Sequence, residues 1–230
     1  MAAPGPADVR VLWQDAEFVA VDKPARLPVH GHERFGAPVG TVLARLSDQG
    51  FERLHVIHRL DAATSGALLL ARSADAARAA GAAFEAGRVE KLYLALVRGA
   101  FPEGTTEVDT PVPRDEGGAR VPARTTFTRL GLAELEGSPL RERRYAWILA
   151  SPHSGRFHQI RRHARHLGHP LIGDTTYGRR EHNELVRERT GLARLALHAS
   201  RLTVALETRV VTVEAELAAD LARALLHLGL

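Results

Sequence analysis

The sequence predicts an α+β fold, a mixed and mainly antiparallel sheet flanked by a few helices. Three observations carry this expectation. Short runs of β-branched and apolar residues recur along the chain, each bounded by Gly, Pro, Asp or Ser. Helical patterns are few, and they end at glycine or proline. There is no internal repeat and no regular strand–helix–strand alternation, so an all-parallel sheet is not expected. The 230 residues, 45% of them hydrophobic, suffice for one large domain or two closely packed subdomains with a real core.

Val9–Trp13 and Phe18–Asp22 read as two strands around the turn Gln14-Asp15-Ala16. Lys23 to Val39 is rich in Pro, Gly and His and reads as loop. Thr41–Leu46 is a short helix, and His55–Ile57 a strand that enters the string HRLDAATSG. Leu68–Ala71 leaves that string as a buried strand. Ala74–Ala86 is an alanine-rich helix stopped by Gly87. Lys91–Val97 alternates as a strand does. Gly104–Arg124 is a hairpin excursion or a mobile loop. Thr125–Leu130, Leu132–Leu135 and Arg144–Leu149 are strands, with Gly137-Ser138-Pro139 as a turn. Phe157–Leu167 is a basic helix ended by Gly168 and Pro170. Leu197–Leu206 and Val210–Ala215 are strands, and Leu217–Leu228 is a closing amphipathic helix. Residues 1–8 are expected to be disordered.

Composition excludes several classes of function. With no cysteine there is no disulfide, Cys–zinc site, iron–sulfur cluster or thiol nucleophile. No apolar run is long enough to span a membrane, and MAAPGPADVR lacks the features of a signal peptide, so the cytoplasm is expected. Neither GxGxxG nor a phosphate-cradling glycine loop is present, so no nucleotide cofactor is expected.

The net charge is only +4, but it is unevenly placed. Only Lys23 and Lys91 are lysines; the other 29 of the 31 basic residues are arginine. From Arg141 to Arg201 there are 13 arginines against 5 acids, +8, and the remainder is 18 against 22, −4. Such a region is either a footprint for a polyanion or a set of solvated helix faces.

Three segments carry side chains suited to chemistry. In His58-Arg59-Leu60-Asp61 and the following Ala62–Gly66, a strand enters a polar turn and a strand leaves it. Strand-end turns present catalytic groups on a fixed frame. Asp61 there is a nucleophile, a base, or simply a turn cap, and Thr64 and Ser65 are candidates to hold the turn. In His153–His163 a glycine turn leads into a basic helix. Arg161 is placed to pair with a carboxylate, and Arg162 and Arg165, three apart, share a face suited to phosphates. In Lys91–Ala95, Tyr93 alternates with Leu92 and Leu94, so it either stacks on a base or packs in a core. The cluster His163, His166 and His169 raises a metal, but the arginines around it disfavour a cation, and Asp174 is the only acid close in sequence.

Six segments in order resemble the RluA-type family of RNA pseudouridine synthases: VDKPARLPVH (Val21–His30), HRLDAATSG (His58–Gly66), KLYLALVRG (Lys91–Gly99), SGRFHQIRRH (Ser154–His163), LGHPLIGDTTYG (Leu167–Gly178) and LHASRL (Leu197–Leu202). GDTTYGRREHN (Gly173–Asn183) looks most like the tRNA-modifying TruC branch. The resemblance implies one catalytic domain over residues 1–230, its sheet in two halves with the cleft between them. It implies Asp61 as catalytic aspartate, Arg161 as the arginine that pairs with it, and Tyr93 as the tyrosine that stacks on the target uracil. Arg59 matches the residue that helps displace the base. Arg156, Arg162, Arg165 and His58 are the expected RNA contacts. No cofactor and no metal is implied. The expected partner is RNA, tRNA first and ribosomal RNA as the alternative, with no DNA or membrane and the chain a monomer.

By the same resemblance, Arg26 stands where the family usually has glycine, and Phe157 where it has a small polar residue. The customary His-Pro after the LHA segment is absent. The first strand near Val9 leaves no room for the S4 RNA-binding domain of many relatives, so recognition is expected from the catalytic domain. The implied reaction breaks the N1–C1′ bond of uridine, rotates the uracil and joins C5 to C1′. Asp61 either attacks C1′ or removes the 2′ proton. One carboxylate suffices because nothing is hydrolysed, whereas a glycosidase needs two. Two rival readings are an RNA-binding module without essential catalysis and a metal-dependent hydrolase built on the histidines.

Overall fold

The run Phe18-Val19-Ala20-Val21 has no polar face, so a strand made from it must be covered on both sides. In the computed structural model, which describes residues 8–31 and 40–230, all four side chains are buried. The expected disorder of residues 1–8, Asp8 apart, and the His32–Val39 end of the expected loop lie outside the described residues.

The elements in chain order are β1 (Arg10–Gln14), β2 (Phe18–Lys23), α1 (Val42–Asp48), β3 (His55–Val56), β4 (Ser65–Ala71), α2 (Ala74–Glu85), β5 (Val89–Arg98), β6 (Thr105–Val108), β7 (Val112–Pro113), β8 (Arg120–Val121), β9 (Thr125–Glu134), β10 (Arg144–Pro152), α3 (Gln159–His166), α4 (Arg180–Thr190), β11 (Leu197–Ala205), β12 (Val210–Glu214) and α5 (Ala219–Leu228). The mixed, mainly antiparallel sheet with flanking helices is the expected fold class. Among the described residues no helix is long and apolar enough to cross a membrane.

The chain divides into two compact units, Met1–Val89 with Arg201–Glu216, and Glu90–Ser200 with Leu217–Leu230. In the first, β1, β2 and β4 pair antiparallel, β3 adds to β4, and β12 pairs with β11. The turn at Asp15 is a side-chain cap: its carboxylate accepts the N–H groups of Glu17 at 2.8 Å and Phe18 at 2.7 Å. Helix α1 starts where Thr41 accepts the Ala44 N–H at 3.0 Å. Helix α2 is capped the same way by Ser73. Its buried face is Ala76, Ala80 and Ala83, at helical spacing, against Phe18, Leu69, Val204 and Val213. Methyl-sized side chains let the helix lie close to the sheet. Strand β4 begins at Ser65, three residues before the expected start at Leu68, and is buried throughout. Ser65 and Gly66 carry no strand propensity; pairing of Gly66 with Lys23 puts them in the sheet.

In the second unit β5, β10, β9 and β6 form antiparallel ladders in that order. The two strands expected at 125–130 and 132–135 are one, β9. A bulge sets Gly131 opposite Trp147 and Arg129 opposite Ile148, leaving Leu130 unpaired and 51% exposed. That extra residue inverts the alternation and makes one strand read as two. Segment 104–124 takes the hairpin alternative: β6 joins β9, and β7 pairs with β8. Helix α3 starts at Gln159 because His158 is left-handed, with φ 54°. Helix α4 has no counterpart among the sequence expectations. Only His182, Leu185 and Val186 of it are buried, so it shows no apolar stripe. Its signals are electrostatic and terminal: Arg180–Glu184 at 2.8 Å, arginines in the last turn, and Gly191 as the stop. Both α4 and α5 enter a core with Leu96, Tyr145, Ile172 and Leu192.

Candidate active site

Asp61 begins a tight turn. Its carbonyl accepts the Thr64 N–H at 3.0 Å, and Thr64 and Ser65 are buried as the chain enters β4. Thr64 thus holds the turn through its backbone. Asp61 is half-buried, and Arg59 beside it is exposed. His58 Nε2 accepts the Leu69 N–H at 3.0 Å, and its ring stacks on Phe84 at 5.4 Å. His58 therefore ties the turn to β4 and α2.

Lys23 supports the turn from a second direction. It is fully buried, and its Nζ donates to the carbonyls of Pro24 at 2.9 Å, Leu27 at 2.8 Å and Ala62 at 3.1 Å. A buried ammonium is tolerated only when its donors are met. Here that need ties the end of β2 to the residue after Asp61. The sequence alone assigns Lys23 no role. The available signal was one of two lysines standing directly after an apolar strand. Nearby, Arg26 has φ 64°, a conformation glycine takes without steric cost, so a glycine-type backbone persists under an arginine side chain.

In the second unit, Arg161 is buried and grips Asp174, Nε to Oδ2 at 2.7 Å and Nη2 to Oδ1 at 2.8 Å. This partner was not expected from the sequence, where Asp174 figured only as a neighbour of histidines. Burial opposes the charge on Asp174, but the guanidinium fork and the N–H groups of Tyr177 and Thr176 outweigh it and hold the carboxyl below its ordinary value. The turn that carries Asp174 is sterically fixed. Gly173 has φ 76°, and a Cβ there would overlap the carbonyl of Arg194.

Tyr177 gathers the rest of the basic helix. The guanidinium carbons of Arg161 and Arg162 each lie 5.0 Å from its ring centroid, its hydroxyl meets His158 Nδ1 at 3.1 Å, and its carbonyl accepts from Arg165 at 3.0 Å. Phe157 stacks on His158 at 3.8 Å and lies 5.8 Å from Arg162. The structure therefore brings Arg161, Arg162 and Arg165 together around one tyrosine. Tyr93 is half-buried on β5, opposite Ala150 of β10.

The basic region is partly neutralised. Arg143, Arg144, Arg161, Arg180, Arg194 and Arg201 each pair with an acid. No ion pair forms at Arg59, Arg156, Arg162 or Arg165 among the described residues, and the Nε atoms of Arg156 and Arg162 are buried without an acceptor. Among the described residues the polyanion reading thus rests on seven arginines of that window, not on all 13. Two histidines of the metal reading are engaged. His163 donates from Nε2 to the Thr110 carbonyl at 2.8 Å and accepts the Thr125 hydroxyl on Nδ1 at 2.8 Å, and His169 Nδ1 donates to the Arg98 carbonyl at 2.9 Å. No group of three or more potential metal ligands is assembled among the described residues.

Residues 17–166 match the RNA pseudouridylate synthase family. The tRNA pseudouridine synthase C of Pasteurella multocida is 38% identical over 209 residues, spanning 84% of each chain. Its namesake in Haemophilus ducreyi is 37% identical over 206 residues, spanning 85% of this chain and 84% of the relative. Among solved structures, Human RNA Pseudouridylate Synthase Domain Containing 1 superposes with a TM-score of 0.75 at 28% identity, covering 93% of this chain and 86% of the other. Human RNA Pseudouridylate Synthase Domain Containing 4 shares the fold, with a TM-score of 0.71 at 24% identity over 96% and 93% of the two chains. The chain belongs to the RNA pseudouridylate synthase family.

Proposed function

We propose that this chain converts a uridine of tRNA to pseudouridine, acting as a cytoplasmic monomer without cofactor or metal. Asp61 is the catalytic carboxylate, and Tyr93 and Arg161 serve the same reaction. Arg59, Arg156, Arg162 and Arg165 contact the RNA. The position of His58, on Leu69 and Phe84, suits bracing the turn better than touching RNA. The observation that carries the reading is the turn at Asp61, which Lys23 holds by the Ala62 carbonyl and Thr64 closes. A reaction that moves one bond within a nucleoside needs a carboxylate held still. Nucleophilic or general-base help contributes about 10²–10⁴-fold, and positioning supplies much of the rest. The relatives named for tRNA favour that substrate.

The test has two parts. Pseudouridine in total RNA is mapped by carbodiimide labelling with and without the gene, and the site lost on deletion names the substrate. A lost site in ribosomal RNA would replace the tRNA reading. Asp61→Asn is expected to abolish product while RNA affinity stays within about twofold. Full activity of that variant would end the proposal.

A further inference from the structure

The charges of Lys91 and Arg156 act on each other, and among the described residues no acid pairs with either. Strand β5 carries Lys91 into the second unit, where its Nζ donates to the Ser154 carbonyl at 2.8 Å. The same ammonium lies 3.7 Å from where a Cβ on Gly155 would be, so the turn before α3 passes directly over it. Among the described residues nothing accepts the other two ammonium protons, and nothing accepts from the Arg156 guanidinium, whose Nε is buried. Of the Arg156 N–H groups, only the backbone one finds an acceptor among the described residues, Gln159 Oε1 at 3.1 Å. Burial, then the Arg156 charge, lower the Lys91 ammonium to about 8, and Arg156 is the charged group acting on it.

The Lys91 ammonium forfeits hydration on burial and is repelled by the half-buried Arg156 beside it. Natural chains resolve such a cost with a carboxylate, as Arg161 does with Asp174 and Arg194 with Asp220. Here the turn is braced without one: Gln159 takes the Ser154 hydroxyl at 2.6 Å and the Arg156 N–H, and its amide donates to the Arg124 carbonyl and the Thr125 hydroxyl, each at 2.9 Å. The turn is cross-braced, it holds the Lys91 ammonium one residue from Arg156, and among the described residues no acid pairs with either.

We propose that Lys91 and Arg156 form an oxyanion site that receives a backbone phosphate of the RNA substrate. This rests on the reading of the chain as an RNA-modifying enzyme and adds a named phosphate contact outside the Asp61 turn and the Tyr177 cluster. A diester phosphate supplies two unesterified oxygens, one for the ammonium and one for the guanidinium. Its arrival neutralises the repulsion and restores the ordinary basicity of Lys91, so binding takes up a proton at mildly alkaline pH.

The experiment uses the whole protein and a tRNA transcript. Affinity is measured against salt and pH for wild type, Lys91→Arg, Lys91→Gln and Arg156→Gln. Removing one phosphate contact should flatten the log–log salt slope by about 0.7–0.9, so the deficit of Lys91→Gln narrows about threefold between roughly 50 and 200 mM salt. Raising the pH from about 7 to about 9.5 should bring wild type toward the affinity of Lys91→Gln, while Lys91→Arg holds its affinity. Lys91 is one of two lysines, and Lys23 is buried, so acetylation of Lys91 read by peptide mass gives a second measure. The transcript should slow that acetylation at micromolar concentration, and inorganic phosphate only at millimolar concentration. An unchanged salt slope in both glutamine variants, no protection by either ligand, or equal protection by both at equal concentration would each overturn the site. Pseudouridine formation by wild type in the same buffer keeps the readings apart: product with an unchanged slope defeats the phosphate site alone, and no product on any tRNA defeats the substrate reading.

Discussion

Arg161 and Asp174 are almost wholly withdrawn from water, with side-chain exposures of 8% and 0%. Breaking such a pair costs about 3–5 kcal/mol, because the charge left behind has lost its hydration. Asp174→Ala is therefore expected to lower unfolding stability by that amount in urea titration, far more than removal of Glu184 from the exposed pair with Arg180. The acid profile follows from the depressed Asp174 carboxyl. Its contribution is complete above the ordinary value of 3.8 and is lost as pH falls through the lower folded value. Wild type should thus lose stability below about pH 4 more steeply than Asp174→Ala. None of this was legible at residue 174 by itself. A single Asp in GDTTYG has many uses, and thirteen residues separate it from its partner.

Helices α3 and α4 are each pinned by a buried histidine. Arg98 Nε donates to His182 Nε2 at 3.0 Å, so the ring proton sits on Nδ1 and is given to the Tyr145 hydroxyl at 2.9 Å. Burial pushes that phenol up to about 12. Protonating His182 would set an N–H against the arginine's N–H. His163 is likewise committed, to Thr110 and Thr125. Burial, as the first cause, holds both imidazoles below the ordinary 6.5. Between that value and the lower folded one the unfolded chain binds more protons, so stability falls as the pH drops below 6.5. Each group accounts for at most about 1.4 kcal/mol per pH unit. Melting should drop between about pH 7.5 and 5.5, and a His163→Gln, His182→Gln double variant should show a lower but flatter profile. Helix α3 was legible from its basic run and glycine stop. Helix α4 was not, because the pattern that reveals a helix is a buried stripe, and charge and tertiary contacts hold this one instead.

Across the whole chain the net charge is small, and placement governs the interaction with RNA. Six of the arginines from Arg141 to Arg201 are matched by acids, three of which, Glu134, Asp220 and Glu214, lie outside that window. Counting arginines therefore overstates the footprint. If Arg59, Arg156, Arg162 and Arg165 are the phosphate contacts, log affinity against log salt should slope by about −3 to −4. A flat dependence would contradict an RNA footprint, and a slope near −10 would mean that the paired arginines also open to RNA. Arg162→Ala should lower affinity more than turnover, since its guanidinium lies over Tyr177 and Phe157.

By itself the sequence determined the fold class, most element positions, the polar turn at Asp61 and the family resemblance. Those features are local: periodicity, turn chemistry and short strings survive in one dimension. Only the tertiary structure decided which charges are spent and which remain. It matched Arg161 to Asp174, set Lys23 under the turn, and left Lys91 and Arg156 without an acid among the described residues. Such pairings join segments distant in sequence, and burial then makes each one strong or costly.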